Sequence, residues 1–163
     1  MFENERAVAG FMLRYAEMLT ADIPEPQMMH QPATGVHTPR WILGHLAVST
    51  DFGCRMLGDA RDLCPQAWYN VFGRGSDGVG VTVLVPTKTE LLEKLTAGVE
   101  RLGGAAVKAD AKLLEQPHGV PLFADTTMRT VGHVAAHLLT SHFAMHLGQL
   151  SMWRRVAGYP HLF

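Results

Sequence analysis

The stretch HVAAHLLTSHFAMHLGQ, residues 133–149, holds four of the chain's nine histidines. It decides the fold because its apolar residues recur at helical spacing and its histidines fall into two i,i+4 pairs. On a wheel advancing about 100° per residue, His133 and His137 lie near 0° and 40°, and His142 and His146 near 180° and 220°. Val131, Ala135, Leu138, Leu139 and Trp153 fall between about 140° and 240° on the same wheel. His142 and His146 therefore sit in the apolar stripe and are predicted to face inward. His133 and His137 share their face with Thr130, Ser141, Gly148 and Arg155. They are expected to serve at the surface or at a dimer contact, with a second metal site as the other reading. Asp125 or Thr126 is the expected cap of this helix. Gly158-Tyr159-Pro160 is its expected stop, giving one rod of about 30 residues and roughly 45 Å.

Working toward the N-terminus, Thr87-Lys88-Thr89-Glu90 is a capping box. It opens a helix marked by Leu91, Leu92, Leu95, Val99 and Leu102, running to about Gly103 or somewhat beyond. Thr38-Pro39 supplies an N-cap and a first-turn proline for a helix to about Leu57, with Gly58 as terminator. Val8, Phe11, Met12, Tyr15 and Leu19 mark an amphipathic first helix over Glu3–Thr20, stopped by Ile23-Pro24-Glu25-Pro26. Residues 59–86 read as an irregular connection. Glycines 73, 75, 78 and 80 interrupt any ladder, and Val79, Val81, Val83 and Val85 alternate as an extended strand does. Such a strand finds a partner only across a dimer. Trp68, Tyr69 and Phe72 are expected to pin this connection to the helices. The expected architecture is all-α: one four-helix-bundle domain over 1–163 with long irregular crossovers.

Composition narrows the function. The chain has 163 residues, enough to bury roughly 70% of its unfolded surface without staples. It is 47% hydrophobic and 18% charged, which is globular rather than disordered. A net charge of -1 excludes the concentrated basic face of a nucleic-acid binder and a polybasic membrane anchor. No apolar run is long enough to span a bilayer. Two cysteines make no disulfide framework, and the opening MFENER is no leader. The expectation is a soluble cytoplasmic protein.

Two inward imidazoles one turn apart are best explained by a shared divalent ion, since unpartnered polar groups in a core cost about 1–3 kcal/mol each. Phe143-Ala144-Met145 lacks the glutamate of the H-E-x-x-H proteases. A third ligand is expected from another helix. His45 fits, because Trp41, Ile42, Phe52 and Met56 lie within about 60° of it on its wheel. Imidazole donors admit zinc or nickel first, iron or manganese also, and three of them leave coordination positions open. Gln149, near 160°, is expected to contact a ligand histidine or substrate, or else to bridge helices. Trp41 is expected beside the site, where it roofs an apolar pocket or simply packs. Asp51 and Glu17 read as solvated surface charge. Cys54 lies opposite His45, and Cys64 is the cysteine better placed to approach the metal, though a ligand or redox role is disfavoured. The nine methionines read as flexible core filler.

Trp41-x-x-Gly44-His45-Leu46, followed far downstream by His142-x-x-x-His146-x-Gly148-Gln149, resembles the DinB/YfiT-like superfamily. The resemblance implies a four-helix bundle, often dimeric, with a metal site of one histidine from the second helix and two from the last. On this chain those are His45, His142 and His146, the three that the wheels also select. The resemblance further implies a small-molecule substrate and a low-molecular-weight thiol cosubstrate, as in thiol S-transferases and a thiol-dependent isomerase. The expected function is a metal-dependent thiol S-transferase. The alternatives are a metal-dependent hydrolase and a non-catalytic metal-binding or sensor bundle.

Overall fold

A computed structural model of the chain describes residues 1–76 and 86–162. The alternating valines at 79, 81, 83 and 85 lie outside the described residues. Four long elements form the bundle: α1 (Glu3–Thr20), α2 (Pro39–Met56), α4 (Lys88–Lys108), and a broken last element made of α6 (Val131–Leu139) and α7 (Ser141–Val156). Two short helices, α3 (Gln66–Phe72) and α5 (Ala111–Leu114), lie in the crossovers. There is no strand among the described residues, only an isolated bridge between Pro117 and Thr130. None of the described helices is long and apolar enough to cross a membrane.

The predicted start signals form. The Thr38 side chain accepts from the Trp41 N–H at 3.2 Å, with Pro39 in the first turn. Thr87 and Glu90 close a reciprocal capping box on α4. That helix passes through Gly103 and Gly104 to Lys108, and α2 ends before Gly58, whose φ of +87° suits a residue without a Cβ. Helix α2 is the central element, packing on α3, α4, α6 and α7, and nearly all its residues are buried. Its approach to α4 is close because of Gly98. A Cβ there would lie 2.0 Å from the Thr50 hydroxyl oxygen.

Three expectations need correction. Helix α1 is amphipathic, but Val8 and Phe11 are exposed, and the buried face is Ala9, Ala16, Leu19 and Thr20. The small alanines admit close packing, so the core stripe is rotated from the one marked by bulky residues. Within the supposed irregular connection, α3 is helical. Trp68 and Phe72 are buried and meet edge-to-face at 5.6 Å, so this segment is indeed pinned by its aromatics. Its seven residues are too few to display a helical period.

The third correction is the last helix, which is two helices rather than one rod. Helix α6 starts at Thr130, not Asp125 or Thr126. The Thr130 hydroxyl accepts from the His133 N–H, while His133 Nδ1 accepts from the Thr130 N–H. Residues Pro121–Phe123 form a single 3-10 turn instead. The break lies at Thr140, whose φ of -128° and ψ of -88° are not helical. The Thr140 hydroxyl donates to the Ala136 carbonyl at 2.6 Å, taking the acceptor that its own N–H would use in a continuous helix. That N–H bonds to the His137 carbonyl instead. The interruption changes which histidines meet.

Candidate metal centre

Three histidines converge where α2 crosses α7. His45, His142 and His146 each offer a ring nitrogen, and these atoms all lie within 4.8 Å of one another. His45 and His146 are buried and His142 is half-buried. The Nε2 atoms of His45 and His142 are 3.3 Å apart. Two nitrogens each about 2.05 Å from one tetrahedral ion would stand about 3.3 Å apart, so this pair is spaced as ligands of one ion are.

The protonation states suit a metal as well. His45 Nδ1 donates to the Phe72 carbonyl at 2.7 Å, and His146 Nδ1 donates to Gln149 Oε1 at 2.9 Å. Because each Nδ1 faces an acceptor, it carries the proton, and each Nε2 keeps its lone pair. Burial holds all three imidazoles neutral: His142 is pushed down to about 3 and His146 to about 4, and His45 is also lowered. Mutual repulsion within the cluster adds to the effect. Among the described residues no carboxylate or thiol joins the group, so a divalent ion there would meet neutral nitrogen donors only.

The surrounding contacts are specific. Phe72 ends α3, and its ring lies so near α2 that a Cβ on Gly44 would be 2.5 Å from its Cγ. Gly44 thus lets Phe72 come close enough for its carbonyl to hold the neighbouring His45. Trp41 stacks on His45 with ring centroids 4.7 Å apart and 6° between planes, and lies 5.9 Å from His146. Its indole N–H donates to the Ser76 hydroxyl oxygen at 3.0 Å. Gln149 is exposed and reaches His146 from one turn away.

Two histidines at the site were not expected there. His37 stacks on the outer face of Trp41 at 3.7 Å, completing a His37–Trp41–His45 ladder. Its i, i+4, i+8 spacing was legible, but His37 precedes the helix and no periodicity drew attention to it. His137 lies 5.4 Å from the His142 ring, where a straight helix would have turned it about 140° away. His133 stays at the surface as part of the α6 cap.

Asp51 is not surface charge. It is fully buried, accepts from the Leu63 and Cys64 N–H groups and the Tyr69 hydroxyl, and pairs with Arg101 at 3.1 Å. It anchors the 59–65 segment and α3, which in turn presents Phe72. Wheel position missed this because α2 is buried on nearly every side. For the same reason, exposed Phe52 proved a poor marker of the His45 face. Glu17 is exposed and pairs with Arg14. Cys54 and Cys64 are free, buried and outside the cluster, and burial raises their thiols to about 11 and about 12.

The spacing of these elements finds a counterpart among known families. No curated protein sequence matches the chain. A family model described as the DinB superfamily matches residues 11–150, a span that takes in His45 on α2, both histidines of α7 and the helices between them. With the match covering most of the chain and its helical bundle alike, this protein belongs to the DinB superfamily.

Proposed function

We propose that this protein is a metal-dependent enzyme that joins a low-molecular-weight thiol to a small electrophile. His45, His142 and His146 are the proposed ligands, with zinc or nickel the favoured ion. The donor set supports this most directly: three neutral imidazoles, two of them oriented through Nδ1, with no carboxylate in the group. A divalent ion in that set would keep its full charge and favour the thiolate form of a thiol over the thiol.

The chain's own residues supply the rest. Phe72 and Gln149 fix the rings of His45 and His146 by hydrogen bonds to Nδ1. Trp41 covers one side of the cluster and keeps water from the His45 face. Half-buried His142 marks the side from which a small molecule can reach the site. Among the described residues no carboxylate joins the group, which disfavours hydrolysis, a reaction that requires a group to take a proton from water.

A single domain over 1–163, a cytoplasmic setting and a homodimer complete the proposal. The buried free thiols suit a reducing compartment. Exposed Phe11 and Met18 on α1, with Met145 and Met152 on α7, offer apolar surface for a second copy.

Elemental analysis of tag-free protein and its His142→Ala variant, after desalting and zinc or nickel reconstitution, tests the site. The expected result is about one metal per chain in the parent and loss in the variant. Loaded protein is then assayed for coupling of bacillithiol, mycothiol or glutathione to a chromogenic electrophile. Background rates with all three thiols on fully loaded protein would overturn the transferase assignment.

A further inference from the structure

We infer that His137 is a fourth functional histidine of this site, one that binds the small anionic ligand, such as a thiolate, held at the three-histidine centre. The inference rests on the metal reading above. It starts from the break at Thr140. In a continuous helix five residues separate His137 from His142 by about 500° of rotation, which leaves them about 140° apart and about 7.5 Å along the axis. The break cancels that divergence. The His137 and His142 ring centroids are 5.4 Å apart, close to the 4.6–5.3 Å that separates the rings within the triad.

The ring is held in place from two sides. Phe123, in the turn before α6, meets it edge-on at 5.3 Å. Ser141, the first residue of α7, places its hydroxyl 2.7 Å from His137 Nδ1. Neither contact needs the break, since Ser141 is four residues on and Phe123 precedes α6; what the break adds is His142 against the same ring. His137 is not among the three whose nitrogens all lie within 4.8 Å of one another, which places it beside the ion's ligands rather than with them.

Its location suits a contact with the bound molecule. His45 and His146 are buried, whereas His142 is half-buried, and His137 lies against His142 on that more open side. With Nδ1 turned to Ser141, Nε2 is the ring nitrogen left for a ligand, and no hydrogen bond to it is present among the described residues. The Ser141 hydroxyl can donate to Nδ1, in which case Nε2 carries the proton and donates outward. A donor aimed at an anion makes a stronger hydrogen bond than one aimed at a neutral group. The ligand class is therefore a small anion with room for one hydrogen bond beside its bond to the ion.

The test uses the full chain loaded with cobalt(II), titrated with 2-mercaptoethanol and read by the cobalt absorption spectrum, in the parent, His137→Ala and His137→Gln. Cobalt content is measured first. The expected result is one cobalt per chain in all three, thiol affinity weakened about 10-fold or more in His137→Ala, and recovery to within about 3-fold in His137→Gln, whose amide can still donate. Unchanged thiol affinity in His137→Ala would overturn the inference. So would equal weakening in both variants, which marks a packing role, or loss of cobalt from His137→Ala, which marks a ligand. Absence of cobalt from the parent itself would overturn the metal reading, and the role of His137 with it, before any thiol is added.

Discussion

Replacing Gly44 with alanine puts the coupling between packing and the candidate metal centre under direct strain. The new Cβ would stand 2.5–2.7 Å from three ring carbons of Phe72, against an ordinary carbon–carbon contact of about 3.5–4.0 Å. The ring must retreat by about 1 Å. Phe72 is buried and cannot swing into solvent, so the cost should lie near the top of the usual overpacking range, about 3 kcal/mol. Alanine recovers about 1 kcal/mol of helix propensity, leaving a net loss of about 2 kcal/mol. For a chain of this length that corresponds to a fall in Tm of about 4–8 °C. A second effect accompanies it. The Phe72 carbonyl is 2.7 Å from His45 Nδ1, and a 1 Å withdrawal would break that bond. Loss of such an orienting partner should weaken metal affinity about 10- to 100-fold. Thermal melts of the metal-free protein and zinc competition against a chromophoric chelator separate the two effects. Gly98→Ala is the control, since its Cβ would strike Thr50 on the other face of α2 and should lower Tm without the loss of affinity. Adding Phe72→Leu to Gly44→Ala should recover stability, giving a cycle that is clearly non-additive. A Gly44→Ala protein with parental Tm, or one that loses no more zinc affinity than Gly98→Ala, would refute the reasoning.

Asp51→Ala removes the buried acceptor of two backbone N–H groups and Tyr69 and leaves Arg101 short of a partner; denaturant unfolding should show a loss of about 3–5 kcal/mol. Arg14→Ala, which breaks only an exposed pair, should stay within about 0.5 kcal/mol in the same assay. For the metal-free protein, His142 and His146 are neutral when folded to about pH 3 and 4, but protonate near 6.5 when unfolded. Their contribution is thus complete above pH 6.5 and lost as the pH falls. Together they should add a slope of roughly 2–3 kcal/mol per pH unit between about pH 6 and 4, visible as a flatter profile in a His142→Gln/His146→Gln double variant. Chelation of zinc from protein kept in free zinc at 100 times the dissociation constant should remove about 2.7 kcal/mol, a fall in Tm of about 5–11 °C by scanning fluorimetry; an unchanged melt would count against metal binding.

Much of the bundle was legible because it is written in local signals. Thr38-Pro39, Thr87 with Glu90, and Gly58 act within one helical turn, so their positions in the chain are their positions in the fold. Of the three histidines, His45 was legible for a related reason. His45 sits among apolar residues on its own helix; for His142 and His146 only Trp153 of the marking stripe lies on α7, and across the break at Thr140 His146 is buried while His142 is half-buried. On α1 bulk is a poor proxy for burial, since Ala9 and Ala16 are buried and Phe11 is exposed.

What the sequence by itself determined is the set of candidate donors: an i,i+4 pair on α7, a third imidazole on α2, and Gly44 and Gln149 beside them. What only the tertiary structure decided is how those donors are oriented and what stands around them. The Phe72 carbonyl comes to His45 from a helix 27 positions away. Asp51 is buried by the 59–65 segment that folds over it, not by its place on a wheel. His137 reaches His142 because the Thr140 hydroxyl outcompetes a backbone N–H for one carbonyl. Periodicity assumes an unbroken helix and a known inside. A side chain that captures a backbone acceptor and a segment that packs from afar violate those two assumptions, and both act at this site.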